Sequence, residues 1–172
     1  ENSYGRVMRA IDIGVNAEGN PQEFWYADPR ATLHYMIRSS DKLKSFIIET
    51  LRRCPSTPQH PWTIIIYNDE VVAGNPMLRH NHRKAHVYYY SFHEFGIAAL
   101  SSEFLWLTLT TAKSDTANAI DGHGIGMFCK SMLLEFSVFA TEGFVCDNII
   151  IFARVNMFVA DALALQMSLN VK

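Results

Sequence analysis

The feature that most constrains the fold is an apolar run from Trp62 to Asn68, which is followed directly by the acids Asp69 and Glu70. A short, unbroken run of apolar, β-branched and aromatic residues is typical of a central strand that is covered on both faces. We expect this strand to end at the acids, where the sheet passes into a loop. The carboxylate of Asp69 would then lie close to a low-dielectric core.

A second run of the same kind, Val155 to Ala160, is followed by Asp161. Two strands that each end on an acid suggest a site for a divalent metal, because Mg²⁺ binds a few converging carboxylates and keeps several waters. The alternative is that Asp69 and Asp161 simply open turns, as aspartate commonly does. Both interpretations stay open on the pattern alone.

The composition describes an ordinary globular chain. Its 172 residues predict a single domain, its hydrophobic content is 49% and its formal net charge is −2. We predict no membrane association, since no apolar run reaches the roughly 18 residues that a membrane span needs. The three cysteines are far apart and favour reduced thiols in an intracellular protein.

The near-neutral charge argues against a dedicated nucleic-acid-binding module, which usually carries a basic face. One short basic stretch is the exception, and its candidate phosphate contacts are Arg79, Arg83 and Lys84. A solvated loop is the alternative for that stretch. The chain begins without methionine and stops soon after the expected start of a helix at Ala162. We therefore interpret it as a piece of a longer protein.

We divide the chain into a lead-in over residues 1–60 and a core over residues 61–172. Residues 1–27 show little periodicity and several glycines, which predicts irregular structure. Asp28 followed by proline predicts a helix from about 29 to 38. Ser40 can cap a second helix, which we expect to end at Cys54 before a proline-rich connector.

The core has the predicted order β-β-β-α-β-α. Its strands are expected at 62–68, 85–92, 104–111 and 155–160, with a helix over 123–136. Short connections favour an antiparallel meander for the first three strands. A right-handed crossover through the helix would make the fourth strand parallel to one already in the sheet. If that strand lies beside the first, Asp69 and Asp161 come side by side at one edge.

Several of these residues resemble a known family pattern. The matching positions are Tyr67, Asp69, Glu70, Gly74, Asn75 and Pro76, then Asn81, Arg83 and Lys84, then the aromatic strand 88–95 and the acidic strand 152–161. This pattern, over roughly residues 55–172, resembles that of DDE-type transposase-like proteins of the Plavaka and Kyakuja–Dileera–Zisupton kind.

The resemblance implies an RNase H-like α/β core: three antiparallel strands, a helix and a fourth strand parallel to the first, preceded by a helical region. It also implies that Asp69 and Asp161 hold Mg²⁺ or Mn²⁺, with Glu70 a weaker candidate ligand. DNA would be the partner of the full-length parent, which would be nuclear if eukaryotic. The chain departs from the pattern at Ala162, where the family has an acid, and it ends before the third catalytic acid. We therefore expect it to be inactive as an isolated chain.

Two other functions stay open. The chain can be a non-catalytic interaction domain that kept a transposase-like fold. It can also be a cupin-like metal-binding protein, since a glycine precedes four clustered histidines: His80, His82, His86 and His93. Exposed positions in a polar hairpin are the alternative for those histidines. We interpret the tyrosine run 88–90 as sheet packing rather than as a base-stacking platform.

Overall fold

The computed structural model describes residues 2–15, 18–72, 84–113 and 124–160. The strands are β1 (Met8–Val15), β2 (Pro21–Ala27), β3 (Trp62–Val72), β4 (Lys84–Phe92), β5 (Leu107–Lys113), β6 (Phe144–Cys146), β7 (Ile149–Ile151) and β8 (Ala153–Val159). The helices are α1 (Pro29–Ser39), α2 (Asp41–Arg53), α3 (Ile97–Leu100) and α4 (Gly124–Thr141). Short 3₁₀ turns cover His93–Phe95 and Glu103–Leu105. No helix in these ranges is both long and apolar enough to cross a bilayer.

A four-stranded mixed sheet in the order β5-β4-β3-β8 forms the centre of the fold. Strand β4 is antiparallel to β3 and to β5, whereas β8 is parallel to β3. The helix α4 lies between β5 and β8 along the chain. The predicted mixed α/β architecture, with its parallel pair, is therefore confirmed.

The expected end of the first strand at Asn68 is wrong. Strand β3 continues for 11 residues, to Val72. Asp69 pairs with Val87 and Glu70 with His86, so both acids lie within the sheet ladder. The ladder extends this far because β4 is long enough to match it.

The irregular structure expected for residues 1–27 is also wrong, because β1 and β2 form an antiparallel hairpin. The signal is a period of two at the end of β2, where Phe24 and Tyr26 are buried and Trp25 is exposed. Of the glycines that suggested irregular structure, Gly19 lies between the strands at a φ of 81°, which a non-glycine residue rarely adopts.

Both N-terminal helices form where their capping residues predict them. The Asp28 carboxylate accepts a hydrogen bond from the Ala31 backbone N–H at 2.8 Å, and the Ser40 hydroxyl accepts one from Leu43 at 3.3 Å. These bonds satisfy N–H groups that the first helical turn leaves without partners. The lead-in is therefore helical over 29–53, as expected.

Three smaller differences concern the core. The strand predicted at 104–111 begins at Leu107, because a 3₁₀ turn occupies Glu103–Leu105. The helix predicted over 123–136 extends to Thr141. The hairpin of β6 and β7 was not predicted, and the helix expected after Ala162 lies outside the described residues.

One face of the central sheet carries the hydrophobic core. Its β3 and β4 side chains pack in one cluster with residues of α1, α2, α4 and β2. The ring of Tyr90 on β4, for example, meets that of Phe136 on α4 with centroids 5.2 Å apart. The lead-in and the sheet thus share a single core, while the division of the chain at residue 60 stays a prediction.

Candidate functional site

Asp69 lies near the end of β3 and its side chain is exposed. The hydroxyl of Tyr67, two residues earlier on the same face of the strand, donates to the carboxylate oxygen Oδ2 of Asp69 at 3.3 Å. Within the described ranges, no basic side chain forms an ion pair with Asp69. An accessible carboxylate steadied by one hydroxyl keeps most of its oxygen lone pairs available for a ligand.

The register of β3 and β8 determines which residue of β8, or of the chain that follows it, lies beside Asp69. In this parallel pair, Ile65 lies opposite Met157 and Tyr67 lies opposite Val159. Asp69 comes two residues after Tyr67, and Asp161 comes two residues after Val159. Asp161 itself lies outside the described residues, so its proximity to Asp69 stays a prediction.

Glu70 faces away from Asp69. Neighbouring residues of a strand point to opposite faces of the sheet, and the pairing around Glu70 is regular. Asn68, on the same face as Glu70, is almost fully buried, whereas Val71, on the face of Asp69, is exposed. A single metal ion at the Asp69 carboxylate therefore does not share Glu70 as a ligand.

The predicted phosphate contacts are only partly within the described chain. Arg79 and Arg83 lie outside it. The ammonium group of Lys84 lies 3.1 Å from the Glu70 carboxylate, and the Lys84 side chain is about half exposed. Because this pair partly neutralises the charge, Lys84 attracts a phosphate less strongly than an unpaired lysine would.

The histidines do not gather into a site where they are described. His86 is buried on β4, whereas His93 is exposed in the turn after the other end of that strand. His80 and His82 lie outside the described residues. The described part of the chain contains no group of three or more side chains that could bind a metal together. Its strands form three separate sheets. The cupin-like alternative gains no support from this arrangement.

The tyrosine run splits between the two faces of the sheet. Tyr88 and Tyr90 are fully buried on the core face, which confirms the predicted sheet packing for these two. Tyr89 points the other way and stacks on Tyr67, with ring centroids 6.2 Å apart and an interplanar angle of 24°. The Asp69 face is thus lined by a half-buried aromatic pair.

Sequence reasoning missed a buried polar chain on the opposite face. The Asn68 amide donates to the Tyr88 hydroxyl at 3.1 Å, and the Cys129 thiol donates to the same oxygen at 3.4 Å. These bonds tie β3, β4 and α4 together beneath the acids. Asn68 within its apolar run is the signal that could have revealed this polar chain, because a buried amide needs hydrogen-bond partners.

Comparison of the chain with protein-family models, curated proteins and solved structures gives no match.

Proposed function

We propose that the chain contributes an RNase H-like, transposase-like core that acts on DNA by metal-dependent phosphoryl transfer. Asp69 and Asp161 would hold Mg²⁺ or Mn²⁺. The observation that carries the proposal is the parallel pairing of Tyr67 with Val159, since each of these residues precedes one of the acids by two positions. DNA as the substrate rests on the family resemblance alone.

The side chains around Asp69 fit this role. Carboxylate oxygens are the ligands that Mg²⁺ and Mn²⁺ prefer, and the described Asp69 carboxylate is accessible. The Tyr67 hydroxyl orients the carboxylate, as a hydrogen-bond partner behind a metal ligand does. The metal, when bound, would stabilise negative charge on the transferred phosphoryl group.

Titration with Mn²⁺ tests the metal site. We expect Asp69→Asn and Asp161→Asn each to weaken binding by at least about tenfold, because each removes a charged ligand. Glu70→Gln is the matched control: it removes a neighbouring carboxylate that points to the other face. Equal losses in Asp69→Asn and Glu70→Gln, or unchanged binding in both aspartate variants, would refute the assignment.

We expect the isolated chain to leave DNA uncut. A two-metal centre loses function when its ligand set is incomplete, and Ala162 stands where the family pattern has a further acid. The net charge of −2 also provides little of the counterion release that holds proteins on DNA. A Mg²⁺-dependent nicking assay with the 172-residue chain checks this. Strong cleavage that disappears in Asp69→Asn would show that the site is complete without a third acid.

A non-catalytic interaction domain is the second candidate. The observation that favours it is the apolar character of the Asp69 face, on which Val71, Met157 and Val159 are about 40% exposed (43%, 40% and 39%). Exposed apolar side chains that cluster on one face favour contact with another protein. A folded chain that shows no Asp69-dependent Mn²⁺ binding would favour this candidate over the enzyme.

A further inference from the structure

A cleft of about 670 Å³ opens at the end of β3 that is remote from Asp69. It lies between the C-terminal end of α2, the connector that precedes β3, and the turn that follows β4. Trp62, at its base, and Asp69 are seven residues apart on an extended strand, which corresponds to roughly 23 Å. The cleft is therefore separate from the proposed metal site.

Three nitrogen-bearing side chains line the cleft and are exposed: Arg53, His60 and His93. In the described ranges, none of the three forms an ion pair with an acid. The Arg53 guanidinium donates to the backbone carbonyl of Glu94 at 3.2 Å, which holds it next to His93 and leaves its other N–H groups available.

Glu94 is the acidic side chain that lines the cleft, and it is already engaged. Both of its carboxylate oxygens accept from the Thr63 backbone N–H, each at 3.0 Å. Because the backbone holds the Glu94 carboxylate, Arg53 and the two imidazoles are the groups at the cleft that can meet an anionic ligand.

The backbone around the cleft is held in place by hydrogen bonds. The Trp62 indole N–H donates to the Cys54 carbonyl at 2.8 Å, and the His60 N–H donates to the Thr57 hydroxyl at 3.0 Å. The rings of Trp62 and Phe95 are buried at its base. A ligand bound here would contact apolar rings at the base of the cleft and N–H donors at its rim. These groups would not have to be rearranged on binding.

We propose that this cleft binds a small organic anion, a carboxylate or phosphate group attached to an apolar body. The anionic group lies between Arg53 and the two imidazoles, and the apolar body lies over Trp62 and Phe95.

Calorimetric titration with benzoate and with phenyl phosphate tests the proposal. We expect millimolar or tighter binding of at least one probe. The two probes distinguish a carboxylate ligand from a phosphate ligand. Absence of binding by both probes overturns the proposal.

Neighbouring arginines on α2 give a matched pair of variants. Arg53→Gln should weaken binding about tenfold, as expected for a lost charge-assisted hydrogen bond. Arg52→Gln should leave it unchanged, because Arg52 pairs with Glu49 and does not line the cleft. Equal effects of the two substitutions overturn the proposal. Should Arg53→Gln fail to fold, His60→Gln replaces it, with weaker binding than the parent as the expected result and unchanged binding as the contrary result.

Discussion

The hydroxyl of Tyr90, in the middle of the central sheet, donates to the backbone carbonyl of Pro29 at 2.7 Å. This buried bond joins β4 to the first residue of α1 across 61 positions of the chain. It fixes the lead-in on the core face of the sheet, so the two parts of the chain are held by a specific polar contact as well as by apolar packing.

We predict that Tyr90→Phe destabilises the fold by about 1–2 kcal/mol, because the substitution removes one buried hydrogen bond while keeping the ring. Tyr89→Phe is the control, since that tyrosine is half-buried on the other face and its hydroxyl has no hydrogen-bond partner in the described chain. Urea denaturation of the two variants measures the difference. Similar losses of stability in the two variants would mean that the Tyr90–Pro29 hydrogen bond does not contribute to the free energy of unfolding.

The phenol of Tyr26 should lose its proton at a higher pH than an ordinary tyrosine does. Burial, followed by the charges of Glu135 and Asp28, raises its pKa from 10.0 to about 12, against an opposing effect of Arg9. A phenol whose pKa is raised by folding stabilises the folded state while it is protonated. This contribution is present below pH 10 and is lost as the pH rises through about 12.

Ultraviolet titration of the phenolate absorbance should therefore show a late phase that Tyr26→Phe removes. Burial also raises the pKa of Tyr90, with a smaller contribution from Asp28, so a second late phase should remain in that variant. Complete titration of every tyrosine near pH 10, with the fold intact, would contradict both assignments.

Asp147 should make the fold sensitive to acid. Its carboxylate accepts from Lys44 at 2.6 Å and from Arg38 at 2.9 Å, so the β6–β7 turn is tied to α2 and α1. The hydrogen bond from Lys44, followed by the charges of Lys44 and Arg38, lowers its pKa below 3.8. The stabilisation is therefore present above pH 3.8 and is lost as the pH falls through the lowered value.

Asp147→Asn is the suitable variant, because Asp147 has a φ of 52° and asparagine tolerates this left-handed backbone. We expect the variant to be less stable at neutral pH and equal to the parent at strongly acid pH. High salt should shrink the difference, because the groups are near the surface. A constant difference across the acid range would assign the effect to packing instead of charge.

His86→Leu should stabilise the protein. His86 is 2% exposed, and neither ring nitrogen has a hydrogen-bond partner among the described residues. A buried polar group without partners costs about 1–3 kcal/mol, and leucine of similar size avoids that cost. His93→Leu, at an exposed position, should change little. A higher urea midpoint for His86→Leu alone is the expected result, whereas a lower one would indicate that His86 has a partner in the folded protein.

The sheet order and both N-terminal helices were predictable because their signals are local. Apolar runs mark β3 and β8, and Asp28 and Ser40 mark the helix starts. The crossover rule then correctly made β8 parallel to β3. In contrast, β6 and β7 have three residues each, too few for a detectable period.

The end of β3 could not be predicted in the same way, because its last residues depend on non-local partners. Glu70 is held in the ladder by His86 and by the ion pair with Lys84, 14 positions away. The opposite orientations of the two acids, however, follow from strand alternation alone, which places Glu70 on the face away from Asp69. Asp69 remains the predicted ligand that the described structure leaves accessible.

The opposed acids of β3 also bear on how the sheet avoids misfolding. If β3 paired one residue out of register, the Asp69 carboxylate would enter the core face beside Tyr88 and the helix α4. A buried, unpaired carboxylate costs several kcal/mol, so the slipped sheet would be strongly disfavoured. Lys84 supports the native register, because it pairs with Glu70 there at 3.1 Å. The acids near the end of β3 thus favour the native strand register, independently of any chemistry that Asp69 performs.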